Sequence, residues 1–168
     1  KMEFDEQLMI PDPSLSLSEG AIQAMGWQSC TDPSSYTYAM LRALSEGYGF
    51  SLDTPYKDLP QEIRHMLIHG GDGRMLKVRY KGQRGEGVYD LNWEGLIHNM
   101  ERRYRETGSD TMKQEYEQFM RITPCTECHG QRLKKTSLAV TVCDKNIYEM
   151  TSMSVKELCV FLSNMELS

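Results

Sequence analysis

Residues 75–81 and 86–92 alternate apolar and polar side chains, while the segments around them repeat their apolar residues every three to four positions. A chain that changes period in this way folds as a mixture of helices and strands. Leu76, Val78 and Tyr80 alternate with Lys77, Arg79 and Lys81, and a Gly82–Gly85 turn leads into Val88-Tyr-Asp-Leu91. That is the pattern of a β-hairpin with one face buried. Before it, Asp32-Pro33 reads as a helix start that carries Met40, Leu41, Leu44 and Tyr48 inward, with Gly47 and Gly49 as the stop. A second helix is predicted from Pro60 to Gly70, with Ile63, Met66 and Leu67 inward. After the hairpin, Leu96, Ile97, Met100 and Tyr104 predict a helix ending at Gly108. Another is predicted from about Asp110 to Ile122.

Leu138, Val140 and Val142 read as a strand, which Cys143 continues. Ser154 with Glu157 forms a capping box that opens a last helix on Val155, Leu158, Cys159 and Leu162. Pro11-Asp-Pro13 and the Ser/Leu alternation of residues 14–18 make residues 1–30 an extended lead. The expected class is α+β: a helix-dominated lobe with a β-hairpin, additional short antiparallel strands and a CxxC zinc-knuckle turn. With 168 residues the chain reads as a single domain, 1–168. Its parts are the lead (1–30), a helical and hairpin lobe (31–122), the CxxC turn (123–133), and a strand with a C-terminal helix (134–168).

Composition narrows the function. No apolar run reaches the ~20 residues of a membrane span. The net charge of −5 is unevenly spread, with −6 over residues 1–60, +3 over 61–135 and −2 over the rest. An excess of three is far short of a basic nucleic-acid stripe. Five cysteines with one close pair fit a reducing cytoplasm better than a disulfide framework.

That close pair lies in Thr123-Pro-Cys125-Thr-Glu-Cys128-His-Gly130-Gln-Arg132-Leu133. Two cysteines three apart grip one metal through a tight turn, and the following glycine allows positive φ. Structural zinc takes four ligands, and Cys125 and Cys128 supply two. His129 adjoins Cys128 and is poorly placed to join them, while Cys30, Cys143 and Cys159 are isolated. A zinc half-site, a pair of free thiols and a redox pair all remain open on spacing. Cys143 and Cys159 read as buried small hydrophobes.

Gly70-Gly-Asp-Gly73 reads as a turn, since it precedes a strand and opens no helix. Glu101 and Arg105 are an i,i+4 pair on a solvated helix face, beside which Arg102 and Arg103 are candidate phosphate contacts. His65, His69 and His98 have no ligand partners at suitable spacing, and no catalytic constellation emerges.

Three segments resemble the UvrA family of bacterial excinuclease proteins, in the same order and with similar spacing. They are Ile10-Pro-Asp-Pro-Ser-Leu-Ser-Leu-Ser-Glu-Gly-Ala21-Ile22, Glu94-Gly-Leu-Ile-His-Asn-Met-Glu-Arg-Arg-Tyr-Arg-Glu-Thr107, and Pro124-Cys-Thr-Glu-Cys-His-Gly-Gln-Arg-Leu133. Ser137–Val142 and the helix starting at Ser154 extend the resemblance over nearly the whole chain. It implies a non-catalytic signature-domain piece of a cytoplasmic DNA-damage-recognition ATPase of nucleotide excision repair, within the SOS response. The family is a dimeric ABC-type ATPase with zinc modules that binds DNA and loads UvrB. The Walker A lysine, the Leu-Ser-Gly-Gly signature, the Walker B acid and the UvrB-binding insertion have no counterpart in this sequence, so ATP use belongs to the full-length protein. Only the zinc-ligand role carries over, onto Cys125 and Cys128, with the completing pair expected before Lys1. The rival expectations are a stand-alone zinc-dependent nucleic-acid-binding module and a chaperone-type cysteine-rich binding module. The latter would need several CxxCxGxG copies.

Overall fold

The first 30 residues hold little regular structure, yet they fill much of the core. In the computed structural model, which describes residues 1–82 and 85–165, the chain divides into two compact units. One is Met2–Arg121; the other is Ile122–Ser168 together with Lys1.

In the larger unit, β1 (Met2–Phe4) and the single-turn helix α1 (Glu6–Met9) precede an irregular stretch. Backbone bonds to other segments fix that stretch: Gln23 N–H donates to Met9 O (2.8 Å) and Tyr56 N–H to Leu15 O (2.9 Å). Ser16 bridges Pro55, and Leu17, Ile22 and Trp27 are buried completely. The extended lead therefore acts as a strap across the core.

Asp32-Pro33 does not start the next helix. The Asp32 carboxylate accepts from the Ser34 N–H (2.8 Å) and closes a turn. Ser35 takes the N-cap of α2 (Tyr36–Tyr48) instead, accepting from Tyr38 N–H at 3.0 Å. Ala39, Met40, Leu41, Ala43 and Leu44 form its buried face, and Gly49 ends it. α3 (Gln61–His69) runs from Pro60 to Gly70 as its spacing predicts.

β2 (Met75–Gly82) and β3 (Gly85–Asn92) form the expected antiparallel hairpin, with Leu76 opposite Leu91 and Val78 opposite Tyr89. Leu76 and Val78 are buried, so one face is inward as predicted. Gln83 and Arg84, the centre of the predicted turn, lie outside the described residues.

α4 (Leu96–Glu106) follows, then α5 (Asp110–Glu117) and β4 (Met120–Ile122). α5 stops five residues short of the predicted end. The carbonyl of Phe119 accepts from Asp5 N–H (3.0 Å) and β4 pairs with β1, so sheet pairing with a distant segment overrides the helical pattern.

The smaller unit contains α6 (Lys135–Leu138), β5 (Thr141–Val142), β6 (Lys145–Asn146), α7 (Ile147–Thr151) and α8 (Val155–Ser163). The strand predicted over 138–142 is a helical turn followed by two strand residues. Cys143 does not continue it: Cys143 and Asp144, at φ +49 and +61, make the two-residue turn of the β5–β6 hairpin. α8 has the predicted Ser154/Glu157 capping box. Val155, Val160, Leu162 and Cys159 are exposed, however, with Leu158 and Phe161 half-buried, so the expectation of a buried Cys159 fails. Among the described residues every buried apolar side chain lies between Phe4 and Tyr116. The α+β class holds, with three two-stranded antiparallel sheets among the described residues.

Candidate nucleic-acid interface and cysteine turn

The start of α4 is built on two glycines. Gly95, at φ +87, faces the end of α3 so closely that a Cβ would lie 2.4 Å from Gly70 N and 2.6 Å from Ile68 O. Only a residue without a side chain lets the two backbones meet there. Trp93 locks the junction, its indole N–H donating to Met66 O at 2.9 Å and its ring meeting Trp27 edge-on at 5.4 Å. Leu96 and Met100 then bury one side of α4 completely.

The arginines leave the helix in different directions. Arg102 donates through Nη2 to Glu94 Oε1 (2.8 Å) and through Nη1 to Glu106 Oε2 (3.1 Å). Asn99 adds a bond to the same Glu94 oxygen at 2.8 Å. The Arg102 guanidinium holds the Glu94 carboxyl below the usual carboxylate range against the opposing effect of burial, with a lesser contribution from Asn99. The i,i+4 pair on this face is Arg102–Glu106, in place of the predicted Glu101–Arg105. Arg103 reaches the other way, over the Gly26 turn, where a Cβ on Gly26 would stand 2.2 Å from Arg103 Nη1. The two candidate phosphate contacts are therefore not brought together. His98 binds the Glu94 carbonyl through Nδ1 (3.0 Å), and the His65 and His69 rings lie 4.7 Å apart, tilted by 40°.

In the cysteine turn, His129 N–H donates to Cys125 O and Gln131 N–H to Cys128 O, both at 2.7 Å. His129, Gly130 and Arg132 all take positive φ, as a chain curling around a pair of thiols requires. The amides of Cys128 and Glu127, with the Cys128 thiol, pull the Cys125 thiol below its ordinary value. Amides aimed at sulfur are what a metal-bound thiolate needs, so the donor set fits half of a zinc site. Among the described residues, no group of three His, Cys, Asp or Glu converges as a metal site. Cys30 is buried in the core of the larger unit, where burial raises its thiol pKa.

The hairpin holds cations that averaging over residues 61–135 concealed. From Arg74 to Gly85 the sequence has five Lys or Arg and no acid, whereas Met2–Arg121 as a whole carries 13 Lys/Arg against 19 Asp/Glu. Lys77, Arg79 and Lys81 are all exposed on the face opposite buried Leu76 and Val78. Lys77 pairs with Asp90 on the facing strand, while Arg79 faces Val88 and Lys81 faces Glu86. Arg42 donates to the Arg79 carbonyl at 3.2 Å and brings a further guanidinium to the edge of β2. A window of a dozen residues would have exposed this run where a window of 75 did not.

The hairpin and the helix-rich core define an α+β unit with one basic ribbon face, and family comparison makes its class specific. Residues 5–118 match the family described as UvrA DNA-binding domain, and the chain belongs to that family. It is 47% identical over 167 residues to UvrABC system protein A of Clostridium perfringens, covering 99% of this chain and 18% of that protein. The Bacillus subtilis UvrABC system protein A is 37% identical over 171 residues, 100% of this chain and 17% of that protein. The crystal structure of UvrA2 from Deinococcus radiodurans shares the fold at a TM-score of 0.63 and 24% identity, over 97% of this chain and 20% of that one. The chain thus spans under a fifth of the length of these curated relatives.

Proposed function

We propose that this chain is the DNA-contacting portion of a UvrA-type damage sensor of nucleotide excision repair, and that it performs no chemistry itself. One observation carries the reading: the family match over residues 5–118 falls wholly within the compact unit Met2–Arg121, which owns the buried core. A unit with its own core positions surface cations rigidly enough to meet a phosphate backbone. The α4 arginines contribute unequally. Arg103 is offered to phosphate, while Arg102 serves first as the clamp on Glu94 and reaches DNA only at the edge of that ion pair.

In the full-length protein, ATP binding and hydrolysis would reside outside this chain, as would loading of UvrB and the homodimer contact. Cys125 and Cys128 would hold half of a structural zinc, which would stiffen their turn without taking part in a reaction. No helix among the described residues is long and apolar enough to cross a membrane, and a cytoplasmic setting is part of the proposal.

The test is direct. The 168-residue chain should bind duplex DNA weakly, with a Kd on the order of micromolar at low salt, and lose affinity steeply as salt rises. It should turn over no ATP. Absence of salt-dependent binding contradicts the DNA reading, and ATP turnover contradicts the non-catalytic one. Elemental analysis of the purified chain should find well under one zinc per monomer, since two thiolates leave the tetrahedron open; one tightly held zinc per monomer contradicts the half-site.

A further inference from the structure

We infer that the β2–β3 hairpin is the element by which Met2–Arg121 enters DNA, with Arg79 and Lys81 on phosphates and Tyr36 and Tyr89 on the opposite side of the ribbon; this rests on the DNA-binding reading above. Four features of the hairpin lead there. The first is charge. The unit is net acidic, so most of its surface repels a polyanion, and attraction must come from a local excess. The run from Arg74 to Gly85 is that excess. Many cations are already neutralised, two of them inside that run, Arg74 by Asp72 and Lys77 by Asp90, and others outside it, Arg102 by Glu94 and Glu106 and Arg121 by Asp5. Arg79 and Lys81 have no carboxylate partner among the described residues.

The second is shape. A two-stranded ribbon fits the major groove of B-form DNA, and this ribbon has no third strand on either edge among the described residues. Eight residues per strand give a reach of about 26 Å at ~3.3 Å per residue, enough to span a groove. The third is the set of glycines in the two strands. Gly82, Gly85 and Gly87 carry no side chains, and the tyrosine rings fold down over two of them. A Cβ on Gly82 would come within 2.9 Å of the Tyr80 ring, and one on Gly87 within 3.1 Å of the Tyr89 ring.

The fourth is the aromatic face. Tyr36, at the start of α2, meets Tyr80 at 5.4 Å and Tyr89 at 6.0 Å, both edge-on. Tyr36 is 40% exposed and Tyr89 50% exposed. Phenols packed at fixed angles, half in water, offer rigid apolar surface and hydroxyl donors at little entropy cost. These phenols lie on the face that carries buried Leu76 and Val78, where Tyr36 of α2 braces the ribbon, so the opposite face is left to present the cations. Arg42 of α2 donates to the Arg79 carbonyl and pairs with Glu46, so it ties the helix to the edge of β2.

Anisotropy of a labelled duplex, titrated across a salt series with the 168-residue chain, tests this. The Arg79→Gln/Lys81→Gln variant should bind about tenfold more weakly at low salt, and its log–log salt slope should flatten by about two. Arg79→Lys/Lys81→Arg should restore the slope. Lys57→Gln/Lys113→Gln, which removes the same charge away from the hairpin, should leave slope and affinity unchanged. In the unaltered chain, bound duplex should shield Lys81 from an amine-acetylating reagent while Lys57 stays reactive. If the double variant keeps the parent slope, or Lys81 stays reactive with duplex bound, the hairpin is not the contact and the DNA reading survives. If the parent chain shows no salt-dependent binding, both fall.

Discussion

At Gly95 the two halves of the α3–α4 junction touch backbone to backbone, which makes this position intolerant of any side chain. Gly95→Ala adds a Cβ 2.5 Å from His69 C and forces an L residue to φ +87. The expected loss is about 3 kcal/mol in urea unfolding. A loss under about 0.5 kcal/mol would show that the junction yields. Next to it, Glu94 gives a prediction with a sign. Its carboxyl is held low chiefly by Arg102, so the stabilisation is present above the ordinary carboxylate pKa and disappears as pH falls through the lowered folded value. The pair is about two-fifths exposed, at 43% and 37%, so solvent screening limits it. Glu94→Gln should therefore cost only about 1 kcal/mol at neutral pH. Parent and variant stabilities should converge as the pH drops below about 4. A gap that is constant with pH would mean that Arg102 does not act through the charge of Glu94.

Which elements could be read from sequence follows from how locally each is determined. α3, the hairpin, α4 and the capping box of α8 were legible because Pro60, Gly70, the period of two around Val78, and the Ser154/Glu157 pair specify them within a few residues. The end of α5 was not, because β1, more than a hundred residues away, claims the Phe119–Ile122 backbone. The 138–142 strand failed for a subtler reason: Lys134–Leu138 close a helical turn, and the φ-positive pair Cys143-Asp144 starts the return strand. The start of α2 also moved, from Asp32 to Ser35. The shift is testable, since Ser35→Ala should cost about 1 kcal/mol of stability and Asp32→Ala clearly less, judged by thermal unfolding. Equal losses would restore Asp32 as the cap.

Across the whole chain, the core and the family match coincide in Met2–Arg121, whereas the cysteine turn and an α8 with exposed Val155, Val160 and Leu162 belong to the other unit. Residues 2–121 expressed alone should unfold cooperatively, with a Tm within a few degrees of the 168-residue chain, because removing the smaller unit removes no buried apolar side chain. A non-cooperative transition would place essential stability in residues 122–168. Sequence alone reached the family and the two thiols. It fell short at the proposed interface, where charge summed over 75 residues hid a dozen-residue basic run, and where ion pairing to Glu94 and Glu106 depends on the folded arrangement. Hydrogen–deuterium exchange of the 168-residue chain with and without saturating duplex DNA would locate the contact. Slowed exchange should appear at the amides of β2 and β3 and at the start of α2, with the cysteine turn and α8 unchanged. Slowing confined to residues 122–165, or none anywhere in Met2–Arg121, would contradict a DNA-binding unit built on this core.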